Sequence, residues 1–355
     1  MDSLTQAVLG ASIGGAMLSR YHGRKAVIAG ALIATLPDLD VFIQYADPSS
    51  SMTHHRGFSH YWFVLTAFSL LLAAIWRGIK PDKRYSFFWL FSTLWLILIT
   101  HPLLDSFTSF GTQLWWPLTP PPASWSSLFI IDPLYTLPLV IGSFAVFIFG
   151  SGPRTQKWVN WGLALSSLYL VWSVGAKHWA EHKALTQFQA QGIQVDEYWS
   201  TPMPFNTVLW RVLTRNEHEH CEMVISLLDQ EPSEFTCIDH NHYLTQLIPN
   251  ADLVDRLRWF SNDWVRFDIK DDILIATDIR IGAAMALTSF RFAVAEQAPD
   301  GEWQLITPYR WPGLQRWELI QPMLRRVYQQ NPPLGLENWL KQANMGAIRQ
   351  HYSMN

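Results

Sequence analysis

Aspartate and histidine residues recur at short spacings in the first third of the chain. Pro37-Asp38-Leu39-Asp40 places two carboxylates two residues apart, and His101 and Asp105 form an i, i+4 pair that shares one helix face. Between them, residues 54–60 are His-His-Arg-Gly-Phe-Ser-His. Carboxylate oxygens and neutral imidazole nitrogens are ligands that suit Zn²⁺, Mn²⁺ or Fe²⁺. The three stretches together predict a divalent metal site, with zinc as the first choice.

Two carboxylates, two or three histidines and the H-x-x-x-D pair offer enough ligands for one metal ion or two. A catalytic metal site keeps a coordination position for water and lowers the pKa of that water. Arg56 lies among these residues, and its guanidinium is predicted to bind an anionic substrate oxygen such as that of a phosphate. Each stretch alone also has a plainer interpretation: a helix stop with capping carboxylates, a polar interfacial loop or an orienting hydrogen bond.

The elements that must position these residues are membrane helices. Four nearly uncharged apolar segments approach, with their flanks, the ~20 residues that a helix needs to cross the hydrocarbon: Tyr61–Trp76, Ser86–Thr100, Leu128–Phe149 and Trp158–Val174. Leu4–Leu18 and Ala26–Leu36 are shorter and rich in Gly and Ala, so we expect them to pack inside the bundle as short or re-entrant helices. Leu4–Leu18 lacks the basic region of a signal peptide, which predicts a retained segment.

Lysine and arginine residues predict the orientation of these segments. Apart from Arg56, those of the first 176 residues fall between the first two segments, between the next two and between the last two, and none lies from Tyr85 to Pro153. Alternate crossings put all three basic connections on one face, which is therefore predicted to be cytoplasmic. Loops 37–60 and 101–127, and everything after Val174, are then predicted to lie outside.

The C-terminal half, residues 177–355, has the composition of an ordinary α+β domain. Segments rich in β-branched and aromatic residues, separated by turn residues, predict strands at Thr207–Leu213, Glu222–Leu228, Val265–Ile269, Ile273–Ile281, Thr288–Ala295 and Trp303–Thr307. Helices are predicted at Asp252–Phe260 and Leu334–Asn344.

Charge and cysteine content exclude other classes of site. The net charge of −3 and the absence of a Lys/Arg-rich run argue against nucleic-acid binding. Cys221 and Cys237 are the only cysteines and form no CxxC motif, which excludes a cysteine zinc knuckle. They could form a disulfide outside the cytoplasm or remain free thiols. A second group of polar residues is more typical of a solvated sheet surface than of a metal site: His218, His220, Asp239, His240 and His242.

The order of the motifs resembles the YdjM-like family of LexA-binding, inner-membrane-associated, metal-dependent hydrolases. It runs from Met1-Asp2-Ser3-Leu4-Thr5 through Leu-Pro-Asp-Leu-Asp and His-Arg-Gly-Phe-Ser-His to Thr100-His101-Pro102-Leu103-Leu104-Asp105, then Gly111 and Trp116-Pro117. The match covers about residues 1–120 and implies a membrane-embedded helical hydrolase with distant kinship to zinc-dependent phospholipases C. It carries metal-ligand roles onto Asp38, Asp40, His55, His60, His101 and Asp105. Family members often have histidine where this chain has Gln6, so either one ligand is missing or His54 compensates.

We therefore expect a polytopic α-helical membrane bundle, residues 1–176, followed by a smaller α+β domain, residues 177–355, on the outer face of the inner membrane. The expected activity is metal-dependent hydrolysis of a phospholipid or other phosphoester, with the bilayer and an amphiphilic substrate as partners. An alternative is a non-catalytic membrane protein that a metal stabilises and whose outer domain binds a partner. A transporter is disfavoured, because broken helices do not recur in corresponding positions of two halves.

Overall fold

The computed structural model describes residues 1–249, 251–313 and 317–343. Its contacts divide the chain into two compact units, one formed by Met1–Ile43 with His55–Val174 and the other by Gln44–His54 with the chain from Gly175 onwards. The division falls within one long helix, near the expected boundary at residue 176. Residues 44–54 were expected in the membrane domain, but their contacts are with the C-terminal half.

The helices follow the apolar segments of the sequence. They are α1 Ser3–His22, α2 Arg24–Ala34, α3 Pro48–His54, α4 Trp62–Ile79, α5 Phe87–Ser106, α6 Pro133–Phe149, α7 Pro153–Ala190, α8 Asp252–Ser261, α9 Ile320–Arg326 and α10 Leu336–Gln342. Within the described residues, α4, α5 and α7 are long and apolar enough to cross a membrane, whereas α6 is a shorter apolar helix of 17 residues. Three of the four predicted spans thus have both the length and the apolar composition that crossing a membrane requires.

The α1–α2 pair is held together by small residues. A Cβ atom on Gly10 would collide with the backbone of Gly30, and one on Gly14 would collide with the carbonyl of Ala26. Small residues let two helix backbones approach this closely in lipid. The two segments therefore form full helices that pack side by side. Their contact brings the start of α1 and the end of α2 to the same end of the first unit.

The second unit contains two antiparallel four-stranded sheets, each with its strands in sequence order. The first is β1 Glu197–Pro202, β2 Leu209–Arg215, β3 Glu219–Ser226 and β4 Phe235–Asp239; the second is β5 Val265–Lys270, β6 Ile273–Asp278, β7 Arg291–Gln297 and β8 Trp303–Arg310. The α+β expectation agrees with this architecture. Strands β1 and β4 were not predicted, and the end of the predicted helix 334–344, Asn344, lies outside the described residues.

A disulfide joins Cys221 on β3 to Cys237 on β4, where the two residues are direct cross-strand partners. The sequence allowed these cysteines to be either free or paired. The strand register brings them side by side, and they are paired. The bond also excludes both sulfurs as metal ligands.

Replacing both cysteines with serine is expected to lower the free energy of unfolding of the second unit by about 3 kcal/mol. The reason is that the bond closes a loop of 16 residues in the unfolded chain, and cross-linking a loop of roughly that length stabilises by about this amount. Urea unfolding of the full chain in detergent, monitored by near-UV circular dichroism, measures the change. A reductant should destabilise the wild type but not the double variant, and equal stability of the two proteins would contradict the prediction.

Candidate metal centre

The first motif follows directly from the end of α2. Pro37 has no backbone N–H to continue a helix, and the chain turns into a short 3-10 segment, Pro37–Phe42, that carries Asp38 and Asp40. Asp40 then holds the segment of residues 55–60, the histidine loop, in place. Its Oδ1 contacts the Nδ1 of His55 at 2.9 Å, and its Oδ2 accepts hydrogen bonds from the backbone N–H of Arg56 at 2.9 Å and from the Oγ of Ser59 at 2.7 Å. Both Asp40 oxygens are thus occupied in shaping residues 55–60.

Four predicted ligands converge on one point. The Oδ1 of Asp38 lies 3.5 Å from the Nε2 of His60 and 3.2 Å from the Nε2 of His101. The Oδ2 of Asp105 lies 3.3 Å and 3.4 Å from the same two nitrogens. All four atoms lie within 4.8 Å of one another. Residues from three separate stretches therefore surround a single small volume.

These atoms have the properties of metal ligands. Asp38 Oδ1, His60 Nε2, His101 Nε2 and Asp105 Oδ2 are all buried, and apart from their contacts with one another they have no hydrogen-bond partner among the residues that the structure describes. A buried polar atom without a partner costs roughly 1–3 kcal/mol, and four together are unusual unless something else binds them. Tetrahedral bonds of about 2.0–2.2 Å would separate the ligand atoms by roughly 3.3–3.6 Å, close to the four distances measured here. The residues present therefore fit a divalent metal ion.

The two histidines are oriented by the other nitrogen of each ring. The Nδ1 of His101 contacts the carbonyl oxygen of Ala34 at 2.6 Å, and the Nδ1 of His60 contacts the Oγ of Ser59 at 2.8 Å. Metal-binding histidines are commonly held in this way, because an N–H donated from one nitrogen leaves the lone pair of the other for the metal. Ala34 and Ser59 were not predicted as part of the site. Only Ser59 left a signal in the sequence, since it lies inside the histidine motif.

The second oxygen of Asp105 is held by cationic and amide groups. Its Oδ1 contacts the Nη2 of Arg56 at 3.2 Å and accepts a hydrogen bond from the Nε2 of Gln6 at 3.1 Å, and the amino group of Met1 also contacts it. Gln6 donates a further bond to the carbonyl oxygen of His101 at 3.1 Å. Gln6 thus takes a positioning role beside the cluster, through its amide N–H groups.

Asp38, Asp40 and His55 form a second, more exposed group of ligand atoms that also lie within 4.8 Å of one another. It shares Asp38 with the buried cluster, so all six predicted ligands lie in two adjoining groups. His54 is not among them. Its ring stacks on Tyr45 at 4.8 Å, and its Nδ1 contacts the carbonyl oxygen of Ser50 at 2.9 Å.

Arg56 lies beside the cluster and is buried, with 5% of its surface exposed. One guanidinium nitrogen contacts Asp105, and the guanidinium lies over the ring of Phe110 at 5.1 Å. Its Nε and Nη1 are buried and have no hydrogen-bond partner among the described residues. The side chain therefore retains donors for an anionic oxygen close to the ligands.

The histidines of the second unit are arranged differently. The Nε2 atoms of His240 and His242 contact the backbone carbonyls of Glu217 at 2.7 Å and Val265 at 2.8 Å. Burial lowers the pKa of His242 to about 4 and that of His220 well below its usual range, so both are neutral at pH 7. His218 is exposed. These residues do not form a metal-ligand group within the described part of the chain.

Comparison with known proteins gives a family match over the part of the chain that contains the cluster. The family model described as YdjM inner membrane protein matches residues 1–180. The uncharacterized protein YfhP of Bacillus subtilis (strain 168) is 27% identical over 180 residues, which are 48% of this chain and 51% of YfhP. The inner membrane protein YbcI of Escherichia coli (strain K12) is 29% identical over 117 residues, 32% of this chain and 64% of YbcI.

The chain thus spans about half the length of YfhP and less than two thirds of YbcI. No solved structure matches it significantly. The family match agrees with the resemblance drawn from the motifs and extends it beyond residue 120.

Proposed function

This chain belongs to the YdjM inner membrane protein family, and from that premise we propose that it is a polytopic membrane hydrolase that uses a divalent metal ion on an amphiphilic ester or phosphoester. One observation carries the metal part of the proposal. Four buried ligand atoms meet at distances of 3.2–3.5 Å and have no other hydrogen-bond partner in the described part of the chain. Two imidazoles with two carboxylates suit zinc first, and manganese or iron next.

The described side chains divide into ligands and positioning groups. Asp38, His60, His101 and Asp105 would hold the ion, which supplies Lewis acidity and lowers the pKa of a coordinated water. Asp40 and His55 adjoin this cluster, and Asp40 orders the loop that presents His60. Of the four ligands, Asp38 has the most exposed side chain, at 23%, so we expect water and substrate to approach from its side.

Arg56 supports a phosphoester over a neutral ester. Its Nε and Nη1 are buried beside the cluster, without a hydrogen-bond partner in the part of the chain that the structure describes, and a guanidinium binds phosphate oxygens well. An anionic oxygen held there would lie close to Asp105, which Arg56 contacts at 3.2 Å. The same contact neutralises part of the guanidinium charge, so the site suits a singly charged phosphodiester.

The surroundings of Asp38 support an amphiphilic substrate. Four large apolar side chains on or next to the 3-10 segment are exposed by 51–79%: Leu39, Val41, Phe42 and Ile43. Phe58, in the histidine loop, is exposed by 59%. Exposed apolar residues that flank a polar site suit a molecule that has both a headgroup and a chain. A membrane phospholipid has this chemistry.

The alternative is a metal that only stabilises the first unit, with the C-terminal domain binding a partner. The four-ligand arrangement favours it in one respect, since structural zinc sites are commonly closed by four protein ligands. The ligands would then join the segment after α2 to the histidine loop and to the end of α5. Hydrolysis separates the two proposals, because only the first requires turnover.

Metal-dependent hydrolysis by the purified full chain is the direct test. We expect about one metal ion per chain, and hydrolysis of a phosphodiester or phospholipid that stops on chelation and returns with Zn²⁺ or Mn²⁺. A panel of phospholipids, bis-p-nitrophenyl phosphate and p-nitrophenyl acetate distinguishes phosphoesters from carboxylic esters. Bound metal without turnover on any of these substrates would favour the stabilising role.

The proposed orientation puts the connection between α4 and α5 in the cytoplasm and the C-terminal domain outside. Lysine and arginine in the α1–α2, α4–α5 and α6–α7 connections support it. The disulfide between Cys221 and Cys237 supports it too, because disulfides persist in oxidising compartments.

Cysteine labelling from outside intact cells is expected to modify Pro121→Cys but not Lys83→Cys. Both positions are exposed, and they lie in connections at opposite ends of α5. The native cysteines are joined to each other and do not react with maleimides. Permeabilised cells are the control and should show labelling at both positions. Labelling of position 83 alone in intact cells would indicate the opposite orientation.

A further inference from the structure

An apolar groove of about 280 Å³ runs along the helices of the first unit, separate from the metal ligands. Its lining comes from α1, α2, α4 and α5, and α2 and α4 both pack against α5. Most of the lining is aliphatic or aromatic, for example Leu18, Ile33, Leu72, Trp76, Leu94 and Ile97. A cavity of about 150 Å³ binds benzene, so this groove has room for a longer segment of a hydrocarbon chain.

One end of the groove is basic. Lys25, on the first turn of α2, and Lys80, which caps the end of α4, both line it together with His22. The nearby carboxylate of Asp82 pairs with Arg84 at 2.6 Å, and the His22 ring contacts the hydroxyl of Tyr85 at 2.9 Å. Neither ammonium group forms an ion pair with a carboxylate in the described part of the chain.

The opposite end of the groove is apolar and reaches Leu36, just before the 3-10 segment. The 11 residues of α2 cover a length of about 16 Å, which is comparable to an acyl chain. Lysine and tryptophan at the end of a membrane helix typically lie at the level of the lipid headgroups. Lys80 lies 5.5 Å from the ring of Trp76 in this arrangement. The basic end of the groove, its length and the level of its lysines therefore match the headgroup and acyl chain of a membrane lipid.

We propose that this groove binds one acyl chain of an anionic phospholipid, whose phosphate is held by Lys25 and Lys80. The leaflet is the one next to the α1–α2 turn, at the opposite end of α2 from Asp38. The lipid is thus a bound ligand distinct from a substrate at the metal cluster. The proposal does not depend on hydrolysis, since the groove and its lysines contain none of the metal ligands.

Lipid binding to the purified full chain in a neutral detergent tests the proposal. Native mass spectrometry compares phosphatidylglycerol with phosphatidylcholine of the same chain length. We expect the wild type to bind one molecule of phosphatidylglycerol more tightly than phosphatidylcholine. The Lys25→Gln/Lys80→Gln variant should bind it about 30-fold more weakly, because the attraction of each lysine to an anionic headgroup strengthens binding roughly fivefold. Phosphatidylcholine binding should fall much less, because its choline group cancels the charge of the phosphate.

Matched variants separate this site from general surface charge. Lys83→Gln/Lys157→Gln removes two exposed lysines that do not line the groove, and should leave phosphatidylglycerol binding intact. Ala29→Phe fills the groove and should weaken both lipids, whereas Ile28→Phe, on the same helix outside the lining, should not. Melting temperature in lipid-free detergent confirms that each variant is folded.

Three results would overturn the proposal. The first is equal binding of the two lipids by the wild type. The second is the same loss in both double-lysine variants, which would indicate a non-specific basic surface. The third is full displacement of phosphatidylglycerol by inorganic phosphate at equal concentration, which would indicate a phosphate site without an acyl chain.

Discussion

Replacing His101 with alanine or Asp105 with asparagine is expected to reduce the metal content from about one ion per chain to less than a tenth. Each of these side chains contributes one of four converging ligand atoms. Four-ligand zinc sites bind with about 10–16 kcal/mol, so one ligand corresponds to about 3 kcal/mol, or a roughly 100-fold weaker affinity. Elemental analysis of the purified variants after dialysis against a weak chelator measures the loss.

Asp132→Asn is the matched control for Asp105→Asn. Asp132 is also a fully buried carboxylate, but it caps α6, accepts a hydrogen bond from the hydroxyl of Tyr169 at 3.0 Å and does not belong to the ligand group. His218→Ala is the corresponding control for histidine, because His218 is exposed in the second unit. Both controls should retain the metal. Full metal content in both His101→Ala and Asp105→Asn would contradict the proposed site. Loss of metal in His218→Ala would indicate that the metal binds in the C-terminal domain instead.

Arg56→Lys is expected to keep the metal bound and to lower kcat/KM for phosphodiester hydrolysis about 100-fold. The guanidinium can contact Asp105 through Nη2 and still present Nε and Nη1 to the substrate. A lysine is a point charge on a flexible stem and cannot make both contacts at once. Loss of about 2.7 kcal/mol of transition-state stabilisation gives this factor, since each 1.4 kcal/mol is tenfold.

The comparison is made with matched metal content, so that a change in rate reports on Arg56 alone. Arg84→Lys is the control, because Arg84 pairs with Asp82 at the surface and should tolerate lysine. Burial of Arg56 argues against a side chain that only extends to lipid headgroups. Equal rates for wild type and Arg56→Lys would end its proposed role in anion binding, and metal loss in Arg56→Lys would show that it supports Asp105 instead.

Much of this site follows from the sequence because its signals are local. His101 and Asp105 are one helical turn apart, so their shared face needs only the periodicity of α5. Pro37 ends α2 by removing a backbone donor, which places Asp38 and Asp40 just beyond the helix end. The apolar segments likewise predict α4, α5, α6 and α7, because a membrane helix depends on the composition of one continuous stretch.

Partners that meet only in space could not be predicted. The carbonyl oxygen of Ala34 orients His101 across 67 residues, and any residue type would provide that oxygen. The spacing of Asp40 predicts a metal ligand, but the bonds that its two oxygens make to the loop 15–19 residues later form only on folding and could not be predicted. Strands β1 and β4 contain strand-favouring residues but are only six and five residues long, so their own pattern is a weak signal, and their pairing with β2 and β3 defines them.

The amino-acid sequence by itself determined which side chains can bind a metal and which segments are apolar enough for a membrane, because residue type and short-range spacing carry both properties. Only the tertiary structure decided that Asp38, His60, His101 and Asp105 share one buried volume, that Asp40 and His55 adjoin it, and that Gln6 donates a hydrogen bond to Asp105. The same holds for the pairing of Cys221 with Cys237. The physical reason is that the ligand distances other than His101–Asp105 arise from the packing of α5 and the segments that carry Asp38 and His60 against one another, and that packing depends on contacts between residues far apart in the chain.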